Sequence, residues 1–128
     1  LTIAVGSIAG ISLFVAGILV MNVMLVSVSQ RTAEVGLLKA IGASSRQIQM
    51  LFLIEALLLS IIGALTGLLL ALILLFNIQA FYPRFPITLP AWAWLSALNV
   101  SIFTGLVFGV MPARKAGNLD PVSALAKR

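Results

Sequence analysis

Three long apolar runs alternate with two short segments of different character along this chain. The runs are Leu1–Val28, Met50–Phe76 and Trp92–Met111. A helix needs about 20 apolar residues to cross the hydrocarbon of a bilayer, and each run meets or exceeds that length. Glu55 breaks the second run, but Ala56–Phe76 alone covers roughly 31 Å at the helical rise. Pro112 follows the third run and marks its expected end, because proline removes a backbone donor and crowds the preceding turn. The pattern therefore predicts an all-α membrane protein with three spans.

The segment Gln30–Gln47, QRTAEVGLLKAIGASSRQ, breaks this pattern. Thr32 is placed to cap a helix whose first turn holds Glu34, near the positive end of the helix dipole. Val35, Leu38 and Ile41 recur at three-residue intervals, with Leu37 four before Ile41, which predicts one apolar face. Lys39 falls in the last turns, where a cation is favoured, and Gly42 supplies a stop because it adopts left-handed backbone at little cost. Ser44 with Gln47 makes a capping box that starts the second span afresh. This short helix has two readings: an anchor lying in the headgroups, or a docking helix for a partner outside the bilayer.

Composition agrees with a bilayer as the solvent. The chain has 128 residues, 62% of them hydrophobic and 9% charged, against about 45–50% and 25% in a soluble domain. Eight Lys and Arg face three acids, yet no basic stripe or aromatic platform accompanies them, so nucleic acid is not the expected partner. The basic residues orient the spans instead. Arg31, Lys39, Arg46, Arg114, Lys115, Lys127 and Arg128 flank one side, and Arg84 alone the other. The positive-inside rule then puts loop 30–47 and the C-terminus in the cytoplasm. Phe81, Tyr82, Phe85, Trp92 and Trp94 would form an aromatic belt on the outer face, around a connection stiffened by Pro83, Pro86 and Pro90.

Small residues recur at four-residue spacing on every span: Gly6 and Gly10, then Gly63, Gly67 and Ala71, then Ala97, Ser101, Gly105 and Gly109. Such ridges let helix backbones approach. One reading has them hold the three helices together, the other has one face a second copy or partner subunit. Asn22, Thr66, Asn99 and Thr104 read as interhelical hydrogen-bonding groups rather than a polar conduit. Glu55 has two readings, as a partner for Arg46 or Arg114 or as a residue at the cytosolic boundary.

Catalysis is not indicated. The chain has no His and no Cys, and Glu34, Glu55 and Asp120 lie far apart in sequence, so acid–base pairs, thiol nucleophiles and the usual zinc ligands are absent. No Gly-x-x-x-x-Gly-Lys-Ser/Thr loop occurs, so no nucleotide site is expected in this chain. The chain opens in an apolar run without Met or a basic segment, which reads as part of a larger polypeptide. In the tail, Asp120 and Pro121 open an expected helix Pro121–Lys127, serving as a second partner contact or as an anchor on anionic headgroups.

Met21–Ala56, MNVMLVSVSQRTAEVGLLKAIGASSRQIQMLFLIEA, closely resembles the C-terminal permease region of FtsX-like ABC transporters, the macrolide-exporter (MacB) type. The tail Met111–Lys127, with its Pro-Ala-Arg-x-Ala and Asp-Pro-Val-x-Ala-Leu elements, resembles the same family's ending. The resemblance implies four spans per protomer, of which this chain carries the last three, with a first span and an extracytoplasmic domain upstream. It implies a single permease domain over residues 1–128: spans 1–29, 45–78 and 92–111, a coupling helix 32–42, an extracytoplasmic loop 79–91 and a cytosolic tail 112–128.

Thr32, Glu34, Val35, Gly36, Leu38, Lys39, Ala40, Ile41, Gly42 and Ala43 would then form the helix that docks on an ABC ATPase, which holds the ATP and Mg. Glu34, Gly36, Lys39, Ala40, Gly42 and Ala43 fall on the family's coupling motif. One departure is the position after Ala43, basic in many members, where Ser44 and Ser45 here precede Arg46. The resemblance further implies a homodimer or heterodimer of permeases with Leu1–Val28 near its interface, a bacterial inner membrane, and a periplasmic adaptor. It also implies mechanotransmission: ATP hydrolysis moves the extracytoplasmic side without passing substrate through the bilayer. The alternative function is a signalling or scaffold module that regulates cell-wall enzymes and exports nothing.

Overall fold

The computed structural model describes residues 1–126; Lys127 and Arg128, including the expected end of the tail helix, lie outside the described residues. Five helices account for all its regular structure: α1 (Thr2–Gln30), α2 (Thr32–Ala40), α3 (Ser45–Phe81), α4 (Ala91–Gly117) and α5 (Pro121–Ala126). Three of them, α1, α3 and α4, are long and apolar enough to cross a membrane. α3 packs along α4, α1 rests on α4, and α5 rests on α2.

The α3–α4 seam is built on small residues, as expected for helix association in lipid. Gly105 of α4 lies against Ser60, and a Cβ placed on Gly109 would stand 2.6 Å from the Ala56 Cβ of α3. The Ser101 hydroxyl donates across the seam to Ser60 O at 3.2 Å, while the Ser60 hydroxyl donates to Ala56 O on its own helix at 2.9 Å. α1 meets α4 where Gly17 makes room for the Phe108 ring, which also takes Phe14 edge-on with centroids 5.7 Å apart.

Below that seam lies the core. Met24 and Val28 of α1, Val35 of α2, Ile48, Phe52 and Ala56 of α3, and Ala113 and Ala116 of α4 are buried together at the end that carries α2. At the far end packing is sparse, and residues 1–16 of α1 are exposed throughout.

Several expectations change here. The third helix does not stop at Pro112 but continues to Gly117. An internal proline costs roughly 3 kcal/mol in an ordinary helix. Here Pro112, Ala113, Ala116 and Gly117 are all buried, and that packing offsets the missing bond. Thr32 is not a cap: α1 runs to Gln30, Arg31 occupies the cap position, and the Thr32 hydroxyl donates back to Val28 O and Ser29 O, carbonyls that the end of α1 leaves free.

The ridge reading that holds the three helices together applies to Gly105 and Gly109. Around Gly6, Gly10, Gly63 and Gly67 there is open space within the chain. Thr66, Asn99 and Thr104 bond carbonyls of their own helices rather than reaching across.

Two glycines at matching spacing on facing helices thus differ in consequence. Gly109→Ala forces a methyl against Ala56 and should destabilise the intact protein by about 1–3 kcal/mol. Gly63→Ala fills open space and should leave stability within about 0.5 kcal/mol of the parent. Denaturation in mixed micelles checks both.

Candidate functional site

The site starts at Arg31, the single residue between α1 and α2. Its Nε donates to Glu34 Oε2 and its Nη1 to Glu55 Oε2, both at 3.1 Å, and the guanidinium stands 5.3 Å from the Phe52 ring centroid. The hydrogen bond to Glu34 is the main cause that raises the Arg31 pKa above its usual value, with desolvation opposing it. Both ion pairs are partly solvated, with 37% of the Arg31 and 42% of the Glu55 side chain exposed, so they orient the helices more than they stabilise them.

Glu55 therefore pairs with Arg31, not with Arg46 or Arg114. The reason is helical phase: nine residues separate Arg46 from Glu55, about two and a half turns, which puts them on opposite sides of α3.

α2 ends in a Schellman motif. The Gly42 N–H bonds Lys39 O and the Ala43 N–H bonds Leu38 O at 2.9 Å. That geometry requires the left-handed backbone of Gly42, whose φ is +108°, as the sequence predicts. The capping box then opens α3, with the Gln47 N–H on Ser44 Oγ and the Ser44 N–H on Gln47 Oε1.

The apolar face expected on α2 is split in two. Val35 and Gly36 are buried, Leu38 and Lys39 half-buried, while Leu37 and Ile41 are 57% and 76% exposed. Ala40 is exposed beside them, because the helix ends there and Ile41 already leaves the helical path. Glu34 lies on the exposed side as well, Thr32 is half-buried, and Ala43 packs against the core.

The inward face of α2 receives the tail. A Cβ on Gly36 would lie 2.8 Å from the Ala124 Cβ and 3.3 Å from Pro121 O, so only a glycine lets α5 sit this close. Ala124 is buried in that contact. Lys39 completes it: its Nζ donates to Gly117 O and, at 2.6 Å, to Leu119 O. Expected to favour its own helix terminus, this ammonium instead covers the free carbonyls at the negative end of α4.

Asp120 caps α5 as expected, accepting from the Val122 N–H and the Ser123 hydroxyl. The tail thus docks on α2, an arrangement that neither sequence reading of it contained. Gly17, under Phe108, and Gly117, where a Cβ would meet Gln49 of α3, are not singled out by the sequence, and Arg31 reads there only as an orienting charge. The sequence signal that points to Gly36 and Ala124 is a small residue on each of two short amphipathic helices.

The family described as FtsX-like permease C-terminal matches residues 6–121. The chain belongs to that family. It is 48% identical over 126 residues, or 98% of its length, to the Campylobacter jejuni (strain 81-176) macrolide export ATP-binding/permease protein MacB. To the proteins of that name from Escherichia coli K12 and Salmonella typhimurium LT2 it is 47% identical over 120 residues, 94% of this chain. It spans about a fifth of their length, 20% of the Campylobacter protein and 18% of the other two. With three helices long and apolar enough to cross a bilayer, this FtsX-like permease region is part of a multi-pass membrane protein.

Replacing Lys39 tests the α2–α4–α5 junction. Lys39→Met leaves the carbonyls of Gly117 and Leu119 without their donor and should weaken tail docking by about 1–2 kcal/mol. Amide exchange over Leu119–Ala126 should rise roughly five- to thirtyfold, with exchange in α3 unchanged.

Proposed function

We propose that this region is the force-receiving part of an ABC exporter permease in a bacterial inner membrane, with α2 and the C-terminus in the cytoplasm. α2 is the coupling helix. The carrying observation is its two-sided character: Val35, Gly36 and Lys39 tie it to the membrane helices and the tail, while Leu37 and Ile41 are turned outward. Outward apolar side chains four residues apart suit the helix-in-groove mode, with the ATPase as the groove.

ATP and Mg belong to that partner, since this chain has no phosphate-cradling loop. The transported molecule does not cross the bilayer through these helices, where Thr66, Asn99 and Thr104 bond their own backbones instead of lining a path. Hydrolysis instead moves the spans and the extracytoplasmic part attached to them. Two permease protomers associate through α1, whose residues 1–16 are exposed, and a periplasmic adaptor completes the exporter. Macrolides, the cargo in the relatives' names, are the first substrate to test.

Two measurements bear on this. Gly42→Val places a β-branched residue at φ +108°, a strain of about 1–2 kcal/mol or more at the exit of α2. In the assembled transporter it should depress substrate-stimulated ATP hydrolysis several-fold; stimulation equal to the parent refutes the coupling role. Ser45→Cys, exposed at the start of α3 and away from the docking face, should react with a membrane-impermeant thiol reagent in inverted vesicles but not in intact cells; the opposite pattern reverses the orientation.

A further inference from the structure

We propose that the α2 end of the bundle carries a site for one anionic phospholipid, between the start of α3 and the end of α4. The inference rests on the membrane orientation given above only in naming the leaflet, which would be the cytoplasmic one. Because α3 and α4 run antiparallel, Arg46 in the first turn of α3 and Arg114 near the end of α4 reach the same level. Both line a cleft of about 280 Å³, together with Gln49, Met50, Leu53 and Val110.

Along α3 these positions fall at i, i+3, i+4 and i+7, so polar groups at the mouth give way to an apolar wall one to two turns deeper. On α4, Val110 lies one turn further into the span than Arg114. Guanidinium groups above aliphatic walls match a phosphate head above an acyl chain, which is how basic pockets between membrane helices hold anionic lipids.

Charge bookkeeping within the chain favours an outside anion. The sequence has three acids, and all are engaged elsewhere. Glu34 and Glu55 are paired with Arg31, and Asp120 caps α5. Among the described residues neither Arg46 nor Arg114 has a carboxylate partner. A lipid is favoured over an acidic side chain of the ATPase because the cleft walls are membrane-span residues, whereas the outward apolar face of α2, with Leu37 and Ile41, lies elsewhere.

The test uses the intact protein in mild detergent, offered equal amounts of phosphatidylglycerol and phosphatidylcholine with the same acyl chains, with retained lipid read by native mass spectrometry. Phosphatidylglycerol should be preferred. Arg46→Gln and Arg114→Gln should each reduce that preference about fivefold, and the double variant roughly twenty-five-fold. Lys115→Gln, at a residue outside the cleft, should leave it unchanged.

Equal retention of the two lipids by the unaltered protein overturns the proposal, as does an undiminished preference in the double variant. Displacement of phosphatidylglycerol by an equal concentration of inorganic phosphate also overturns it, since the site would then read a free anion. If the double variant loses its co-purifying ATPase while keeping its lipid preference, the arginines belong to the protein partner and the proposal falls. None of these lipid readouts depends on which way the protein faces, so their failure is distinguishable from failure of the thiol-labelling test.

Discussion

The ammonium of Lys39 on Gly117 O at the end of α4, and on Leu119 O just beyond it, is the interaction that joins α2, α4 and the tail into one unit. A helix end leaves several carbonyls without partners, and near a membrane their satisfaction is costly to neglect. Here the donor comes from a different helix, so satisfying α4 also fixes α2 beside it. Gly36 then admits the tail to within contact of the backbone, and Val35 inserts into the core from the same side. Arg31 closes the arrangement from the opposite end of α2 by binding acids on both α2 and α3.

Packing follows from that concentration of contacts. Lipid offers apolar helices no hydrophobic reward for associating, so they stay together where shape and hydrogen bonds are good. Gly105 and Gly109 against Ser60 and Ala56 meet this condition, as does Gly17 under Phe108. Further from α2 the small residues face open space, and the large apolar side chains of α1 and α3 are exposed as they are in a lipid-facing helix. The chain is well knit at one membrane level and loosely associated at the other.

The sequence made the local features legible because each depends on a few adjacent residues. The stop at Gly42, the capping box at Ser44 and Gln47, and the Asp120 cap all follow from near-neighbour backbone needs. Features that depend on tertiary contacts were not legible. Pro112 reads as a terminator until its burial is known, and Thr32 reads as a cap until α1 is seen to run up to it. Glu55 has two readings in the sequence, a basic partner or the membrane boundary, and its pairing with Arg31 depends on how α1 and α3 pack, which no spacing along the chain gives. The docking of α5 on α2 joins residues nearly ninety positions apart in the chain, such as Gly36 and Ala124, and no local pattern encodes such a distance.

The exposed first stretch of α1 carries a mechanical consequence. From Phe14 onward the helix is held by α4 and the core, while Thr2–Leu13 projects past that contact over roughly 18 Å. A lever of that length would magnify small rotations: tilting the clamped half by about ten degrees would sweep Thr2 through about 3 Å. With Arg31 as the sole residue between the clamped half and α2, there is little slack to absorb such a tilt before it reaches the tip.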